Sequence, residues 1–443
     1  MPKRIWIGWY FVLMGLILGN WTSRMPELKA GNHLSNTTLG VALVFGAIGA
    51  IITLPLVTRL NAKFGSAVSL LLGSASVCIC LIPVGILGYG LKLLIPAVLC
   101  LGFAMALCDI SMTAQAVLLE KRNQRNSMGC FHALASAGGM VGVLIGGTIA
   151  YYNISPFVHF LLVAAVTLPL SVLCFGDLFG SEEERSLNTQ KEEFLPDDIS
   201  TTVVLLSSEE QSAGELSSAA KTPLLYLCAV GFLGNLGEGS IADWTTIYLT
   251  STLGASPLIA AAGFASFEFM LTVGRLCSDA LNQRFSRSAL LHASGLIAAI
   301  GIAIVVTAPS LPMPIVWAVL GLGAAGAGLS GIGPIVASSA GNIPATTPAQ
   351  SFAYITSVAY FGFMVGPPCF GGLADILHGL RWSLLLLAAL VGLIFVLPCR
   401  APDNQYMQLL TTSSNEGETS QSRGSTTLLS ISYQRPKSSD NVI

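Results

Sequence analysis

Apolar residues occur along this chain in long, almost uninterrupted blocks that are separated by short polar stretches. Twelve of these blocks approach or exceed the roughly 20 residues that a helix needs to cross the hydrocarbon core of a bilayer. The pattern therefore predicts an all-α integral membrane protein with twelve transmembrane helices. The predicted spans cover residues 5–22, 39–57, 68–87, 93–119, 128–151, 157–175, 223–249, 257–277, 289–308, 314–340, 352–374 and 382–397.

An acidic, polar segment at residues 179–222 divides these spans into six and six. Ten of the chain's 23 acidic residues lie within it. Such a segment cannot bury enough apolar surface to offset the entropy lost on ordering, so we expect a flexible linker. The linker would join an N-terminal six-helix half at 1–178 to a C-terminal half at 223–398. Residues 399–443 are polar and rich in serine and threonine, which predicts a disordered tail.

Composition supports a membrane protein and argues against several other classes. The chain is 53% hydrophobic and 10% charged, with a mean hydropathy of +0.71, which leaves too little charge to cover a soluble surface. Its net charge of −2 offers no basic patch for nucleic acid. The ten cysteines lack metal-ligand or disulfide spacing. With no nucleotide loop or nucleophile–base motif, we expect no enzyme activity, no catalytic residues, and no metal or other cofactor.

Lysine and arginine concentrate in the turns on one side of the predicted spans. If the N-terminus is inside, the inner turns of the first half carry seven basic residues against three outside, and the second half carries four against one. By the positive-inside rule, both termini and the acidic linker should be cytoplasmic. We expect a monomer in a plasma or inner membrane, with the lipid bilayer and a small-molecule substrate as its partners.

The two halves repeat short sequences in the same order. Leu60–Gly65 is similar to Leu281–Ser286, at an offset of 221 residues. Leu18-Gly19-Asn20 recurs as Leu233-Gly234-Asn235, at an offset of 215, and the tripeptide Met-Val-Gly occurs at 140–142 and 364–366. The nearly constant offset indicates duplicated, pseudo-symmetric halves. Two parallel six-span halves with the substrate between them are typical of major facilitator transporters.

The turn after the second span adds a motif to this likeness. The chain resembles the major facilitator superfamily, whose signature there has the form G-x-L-A-D-R-x-G-R-K. Leu60, Lys63 and Gly65 fit that form, but Ala62 stands where the family has aspartate. The turn after the eighth span fits better. The resemblance implies that these turns form charge contacts that hold an inner gate shut, with gate residues Lys63, Arg275, Asp279 and Arg284.

The stretch from Gly102 to Gly147 is similar to a narrower branch of bacterial permeases near the fucose–proton symporters. This resemblance rests on Asp109, Glu120, Arg125, Met128, His132, Ser136, Gly138 and Gly139, together with Glu238, Asp243 and Trp244 in the seventh span. It implies a symporter that moves a small polar solute, such as a sugar or related metabolite, together with protons. Two alternatives remain open: a proton-driven antiporter that exports amphipathic compounds, and a sensor that binds solute without moving it.

Asp109 is the clearest ionisable residue inside a predicted span. A charge at this depth costs at least about 2.5 kcal/mol, and removal from water favours the protonated carboxyl group. Thr113 lies four residues on, on the same helical face. We therefore expect Asp109 to carry the coupling proton, with a helix-packing hydrogen bond as the alternative. His132 is a second candidate for proton transfer, although a packing histidine is an equally good interpretation.

Polar residues in the spans that line the cavity in this family complete the candidate site. Arg24 and Asp243 could form an outer gate between the halves, whereas Glu268 favours a structural charge network with Arg275 and Asp279. The two tyrosines of span eleven could stack on a sugar ring. The remaining predicted cavity residues are Asn20, Asn235, Glu238, Tyr354 and Tyr360.

Overall fold

The computed structural model describes residues 2–123, 127–192, 218–340, 342–343, 348–399 and 401. Its long helices confirm the prediction of an all-α membrane protein. Eleven are long and apolar enough to cross a membrane, and Leu380–Val396 is a shorter apolar helix. The helices are α1 Pro2–Ser23, α2 Met25–Gly31, α3 Asn36–Phe64, α4 Ser66–Val84, α5 Leu91–Asn123, α6 Met128–Tyr151, α7 Pro156–Cys174, α8 Ser181–Glu192, α9 Ser218–Leu253, α10 Pro257–Arg284, α11 Arg287–Thr307, α12 Pro314–Ser330, α13 Ile332–Ala340, α14 Pro348–Ile376 and α15 Leu380–Val396.

Local sequence signals set where several of these helices begin. Four serines occupy the position before the first helical turn, and each accepts a hydrogen bond from a backbone N–H three residues on. These are Ser35 before α3, Ser155 before α7, Ser256 before α10 and Ser286 before α11. Proline follows directly in α7 and α10, where its missing N–H costs nothing. One span is interrupted, because α12 ends and α13 begins on either side of Gly331.

Glycines allow helices within each half to pack backbone to backbone. A Cβ at Gly15 of α1 would lie 1.8 Å from the carbonyl oxygen of Ala135 on α6. A Cβ at Gly102 of α5 would lie 2.0 Å from the carbonyl oxygen of Gly46 on α3. No side chain fits at either contact, which is why small residues are enriched where membrane helices cross.

The helix α8 lies in the segment that we expected to be a flexible linker. Its Glu183 binds Lys3 at 2.8 Å and Arg122 at 2.9 Å. Glu184 accepts hydrogen bonds from the backbone N and the hydroxyl group of Ser66, both at 2.9 Å, at the start of α4. The loop prediction is therefore wrong for residues 181–192, because partners on the first half offset the ordering cost. Residues 193–217 and the tail beyond 401 lie outside the described part of the chain.

The most extensive contacts between helices of the two halves are α6 against α10 and α3 against α14. Because successive spans cross the bundle in alternate directions, α3 begins and α14 ends at the side away from the N-terminus. We call that side the distal end, and the side at which α1 begins the proximal end. These two pairs position the distal contact at Asp375 and the central contact at Arg275.

Candidate functional site

Asp375 joins the two halves at the distal end. One of its carboxylate oxygens, Oδ1, accepts hydrogen bonds from Asn36 N at 3.2 Å and Nδ2 at 2.8 Å. The other, Oδ2, accepts from Thr37 N and Oγ1, both at 2.7 Å. Since α3 begins at Asn36, the negative charge lies at the positive end of that helix. Lys29 donates to Asn36 Oδ1 at 2.5 Å. We call Asp375 with Asn36 and Thr37 the distal latch.

Close backbone contact accompanies the distal latch. A Cβ at Gly40 would lie 2.4 Å from the carbonyl oxygen of Pro367, and one at Gly371 would lie 2.4 Å from that of Asn36. The first turns of α3 therefore press directly on the last turns of α14. Sequence reasoning missed Asp375, which is the only acidic residue of α14 but lies one residue beyond the predicted span 352–374.

Arg24 does not pair with Asp243 as the predicted outer gate required. Its side chain is fully buried. It donates to His159 Nδ1 at 2.8 Å and to the Ile154 carbonyl oxygen at 2.5 Å, and it forms an ion pair with Glu27. A buried guanidinium needs hydrogen-bond partners, and here its own half supplies one to each of its three nitrogens. Burial raises the pKa of Glu27 above its usual value, and the adjacent guanidinium opposes that rise.

Asn20 belongs to the same network within the first half. His159 Nδ1 accepts from Arg24, so its Nε2 carries the proton and donates to Asn20 Oδ1 at 2.7 Å. Asn20 Nδ2 in turn donates to the Leu16 carbonyl oxygen at 2.8 Å. The amide of Asn20 is therefore occupied by protein groups, which differs from its predicted place as a free cavity residue.

A charge cluster links the halves in the middle of the bundle. Arg275 Nη2 lies 3.0 Å from both carboxylate oxygens of Glu238, and Nη1 donates to Ser136 Oγ at 2.7 Å. Glu238 and Arg275 belong to the second half, on α9 and α10, whereas Ser136 lies on α6 of the first. The guanidinium therefore points into the bundle, not toward the turn at the end of α10 where the gate prediction placed it. With Glu268 and His132, these residues form what we call the Arg275 cluster.

Glu268 and His132 complete the cluster from opposite halves. The carboxylate carbon of Glu268 lies 3.4 Å from the position of a Cβ at Gly139, so the group rests against α6. It is within electrostatic reach of Glu238 and Arg275, as is His132. Glu238 is the direct partner of Arg275, and the expected network of Glu268 with Arg275 and Asp279 stays a prediction. The side chain of Asp279 lies outside the described residues.

Asp109 and Tyr360 lie on helices of different halves. Asp109, on α5, is partly exposed, and no described residue donates a hydrogen bond to it. Tyr360, on α14, has a side chain that is 58% exposed. Thr113 is partly exposed one turn along α5, and Tyr354 is 48% exposed on α14.

Two further predicted cavity residues lie on α9. Asn235 and Asp243 are both partly exposed, and neither bonds to another residue in the described part of the chain. Of the predicted gate residues at the proximal end, Lys63 is exposed with its Nζ 5.0 Å from the centre of the Phe64 ring, and Arg284 is exposed at the end of α10. The gate contacts of these turns stay predictions.

Comparison with known proteins identifies the family of this chain. Residues 7–349 match the model of the Major Facilitator Superfamily. The chain belongs to that superfamily. It is 30% identical over 366 residues to an uncharacterised MFS-type transporter of Yersinia pestis, covering 83% of this chain and 87% of the relative. It is also 26% identical over 395 residues to the membrane protein MosC of Rhizobium meliloti, covering 88% and 87%. Members of this superfamily are transporters, not enzymes.

A solved structure shares the fold. The crystal structure of the nucleoside transporter NupG superposes with a TM-score of 0.67 over 89% of this chain and 98% of that one, at 12% sequence identity. At that identity the likeness concerns the fold alone. It agrees with twelve helices in two halves. That the chain is a transporter in the lipid bilayer rests on the family match.

Proposed function

We propose that this transporter moves a small polar solute across the membrane by alternating access, coupled to protons. The observation that carries the proposal is the set of carboxylates in the middle of the bundle. Asp109 has no hydrogen-bond donor among the described residues, and Glu238 and Glu268 share a single arginine. Carboxylates held away from bulk water at a moving interface are suited to take up a proton on one side and release it on the other.

Alternating access is supported by the uneven contacts between the halves. At the distal end, the latch and the glycine contacts join α3 to α14. Toward the proximal end, no comparable packing joins α5 to α12 or α13 within the described residues. This difference supports a state that is closed distally and open proximally. If basic turns mark the cytoplasmic side, as in the positive-inside rule, the open side is cytoplasmic.

Asp109 is the first candidate for the coupling proton, and the Arg275 cluster is the second. Symport of a sugar or related metabolite is the first candidate direction, since two separate carboxylate sites leave room for a proton at one and a solute at the other. Exchange of solute for protons is favoured by a different observation, which is the surplus of carboxylates over cations in the same region.

The test is uptake into proteoliposomes with and without an imposed pH gradient. The panel should contain sugars, amino sugars and, because NupG shares the fold, nucleosides. The proposal predicts accumulation of at least one solute in the presence of the gradient, and loss of that accumulation in Asp109→Asn. Asp177→Asn is the matched control, because Asp177 is exposed at the proximal end. Flux of every solute that ignores the gradient would contradict proton coupling.

A further inference from the structure

We infer that Thr246 and Pro26 create a second contact that closes the distal end, in addition to the distal latch. The inference rests on the proposed alternating access and names two positioning residues for it. Thr246 Oγ1, on α9 of the second half, donates a hydrogen bond to the Thr22 carbonyl oxygen of α1 at 3.0 Å. Both residues are buried. We call this hydrogen bond the threonine contact, and separation of the halves at the distal end would break it.

Pro26 is the reason that the Thr22 carbonyl group is free to accept this bond. In a continuous helix the carbonyl of residue 22 accepts from the N–H of residue 26. Residue 26 is a proline, which has no N–H. The helix α1 ends at Ser23, and α2 begins at Met25. A buried carbonyl group without a donor is costly, so the donor that Thr246 brings from the other half stabilises the closed distal end.

The hydroxyl group of Thr246 bonds outside its own helix. Threonine hydroxyl groups within helices commonly donate to a carbonyl group one turn earlier in the same helix. Thr250, one turn further along α9, does so, because its Oγ1 donates to the Thr246 carbonyl oxygen at 2.8 Å. The hydroxyl group of Thr246 crosses to the first half instead. The helix α9 therefore contains one threonine that joins the halves and one that serves as its matched control.

The acceptor is held in place by the short helix α2. Arg24, between α1 and α2, is fully buried and donates to His159 of its own half. Met25 and Leu28 of α2 are fully buried as well, and α2 packs against α9. The position of the Thr22 carbonyl group is therefore fixed by its own half. A preorganised acceptor loses little entropy when the bond forms, which favours a net contribution to closure.

The helix α2 also connects the threonine contact to the distal latch. Thr22 lies just before α2, and Lys29, near its end, donates to Asn36 Oδ1 at 2.5 Å. Asn36 in turn donates to Asp375 of the second half. One short helix of the first half thus links a contact with α9 to a contact with α14. We therefore expect the two contacts to open together.

The test measures the distance between spin labels at exposed distal positions of the two halves, Tyr152 in the turn after α6 and Leu377 after α14. Thr246→Val removes the hydroxyl group but keeps the shape of the side chain. Loss of one neutral hydrogen bond should raise the ratio of distally open to closed molecules about two- to tenfold. Thr246→Ser keeps the hydroxyl group and should restore the parent ratio. Each variant is also made in Asp375→Ala, where loss of the latch should bring both states to measurable populations.

A change at residue 26 tests the role of the proline. Pro26→Ala supplies an N–H four residues after Thr22, so the carbonyl group gains a donor within its own half. Thr246→Val should therefore change the ratio less in Pro26→Ala than in the parent. Thr250→Val is the matched control and should leave the ratio unchanged, because that hydroxyl group bonds within α9. Melting transitions check that each variant is folded, and the comparison of Thr246→Val with Thr246→Ser decides if Pro26→Ala is not.

Two outcomes overturn the threonine contact. One is a ratio in folded Thr246→Val that is no higher than in Thr250→Val. The other is a folded Thr246→Ser that is as open as Thr246→Val, because the hydroxyl group would then not be responsible. An effect of Thr246→Val that is equal with and without Pro26→Ala overturns the role assigned to Pro26. Failure of the proposed function looks different, because flux would then ignore the pH gradient whatever the label distances show.

Discussion

Replacing Asp375 with alanine should open the distal end of the bundle. The carboxylate accepts four hydrogen bonds from Asn36 and Thr37, and all four cross from one half to the other. A hydrogen bond to a charged group contributes about 1.5–3 kcal/mol, and an anion at a helix N-terminus about 0.3–2 kcal/mol. When the halves separate, water replaces most of these bonds. We therefore expect a net loss of about 2–3 kcal/mol from the distally closed state.

A change of that size is large for a two-state equilibrium. It lowers the ratio of closed to open molecules about 30- to 150-fold. A bundle that is distally closed about 99% of the time would then be open in about a quarter to six-tenths of molecules. Asp375→Asn should have a smaller effect, because one carbonyl oxygen remains as an acceptor while the charge and the second acceptor are lost.

The measurement is a distance between spin labels on the two halves at the distal end. Tyr89, in the turn between α4 and α5, and Leu377, after α14, are both exposed and lie outside the latch. Labels attached through unnatural amino acids leave the ten native cysteines in place. Pulsed electron–electron double resonance should show a second, longer distance in Asp375→Ala.

The control is Asp177→Ala, which removes an exposed carboxylate at the proximal end. It should leave the distance distribution unchanged. If Asp375→Ala gives the parent distribution as well, the four hydrogen bonds contribute nothing to distal closure. The contact between α3 and α14 would then have to be held by packing alone, and the latch would have no role in the equilibrium.

Three other changes should have measurable effects. Gly40→Ala places a methyl group 2.4 Å from a backbone oxygen of α14, so it should shift the same label distance as loss of the latch, while Gly129→Ala, with nothing within 4 Å, should not. Glu184→Ala leaves the start of α4 uncapped and should cost about 1 kcal/mol of stability in detergent, read from the unfolding midpoint. Glu238→Gln weakens a partly exposed ion pair with Arg275 and should cost about 1–2 kcal/mol of stability. Adding Arg275→Met to that variant should restore part of the lost stability. If no stability is recovered, the two side chains are not coupled.

The sequence by itself determined the class of protein and the number of spans. Bilayer thickness sets how long an apolar segment must be, and the length of such a segment can be counted directly along the sequence. The repeated segments near Leu60 and Leu281 revealed the duplicated halves for the same reason, since a repeat is a property of chain order. Asp109 could be found because an acid inside an apolar run is conspicuous without any knowledge of its neighbours.

Only the tertiary structure decided which polar groups meet. Asp375 and Asn36 are separated by 339 residues, and Arg275 and Ser136 by 139, yet each pair is in hydrogen-bond contact. Arg24 looked equally able to reach the second half, but His159 and Glu27 of its own half hold it. Composition predicted a loop where the helix α8 lies. The helix is stabilised because its carboxylates bind Ser66, Lys3 and Arg122 of the first half. A hydrogen bond requires two atoms about 3 Å apart, and that proximity depends on how the helices pack, which chain order does not specify.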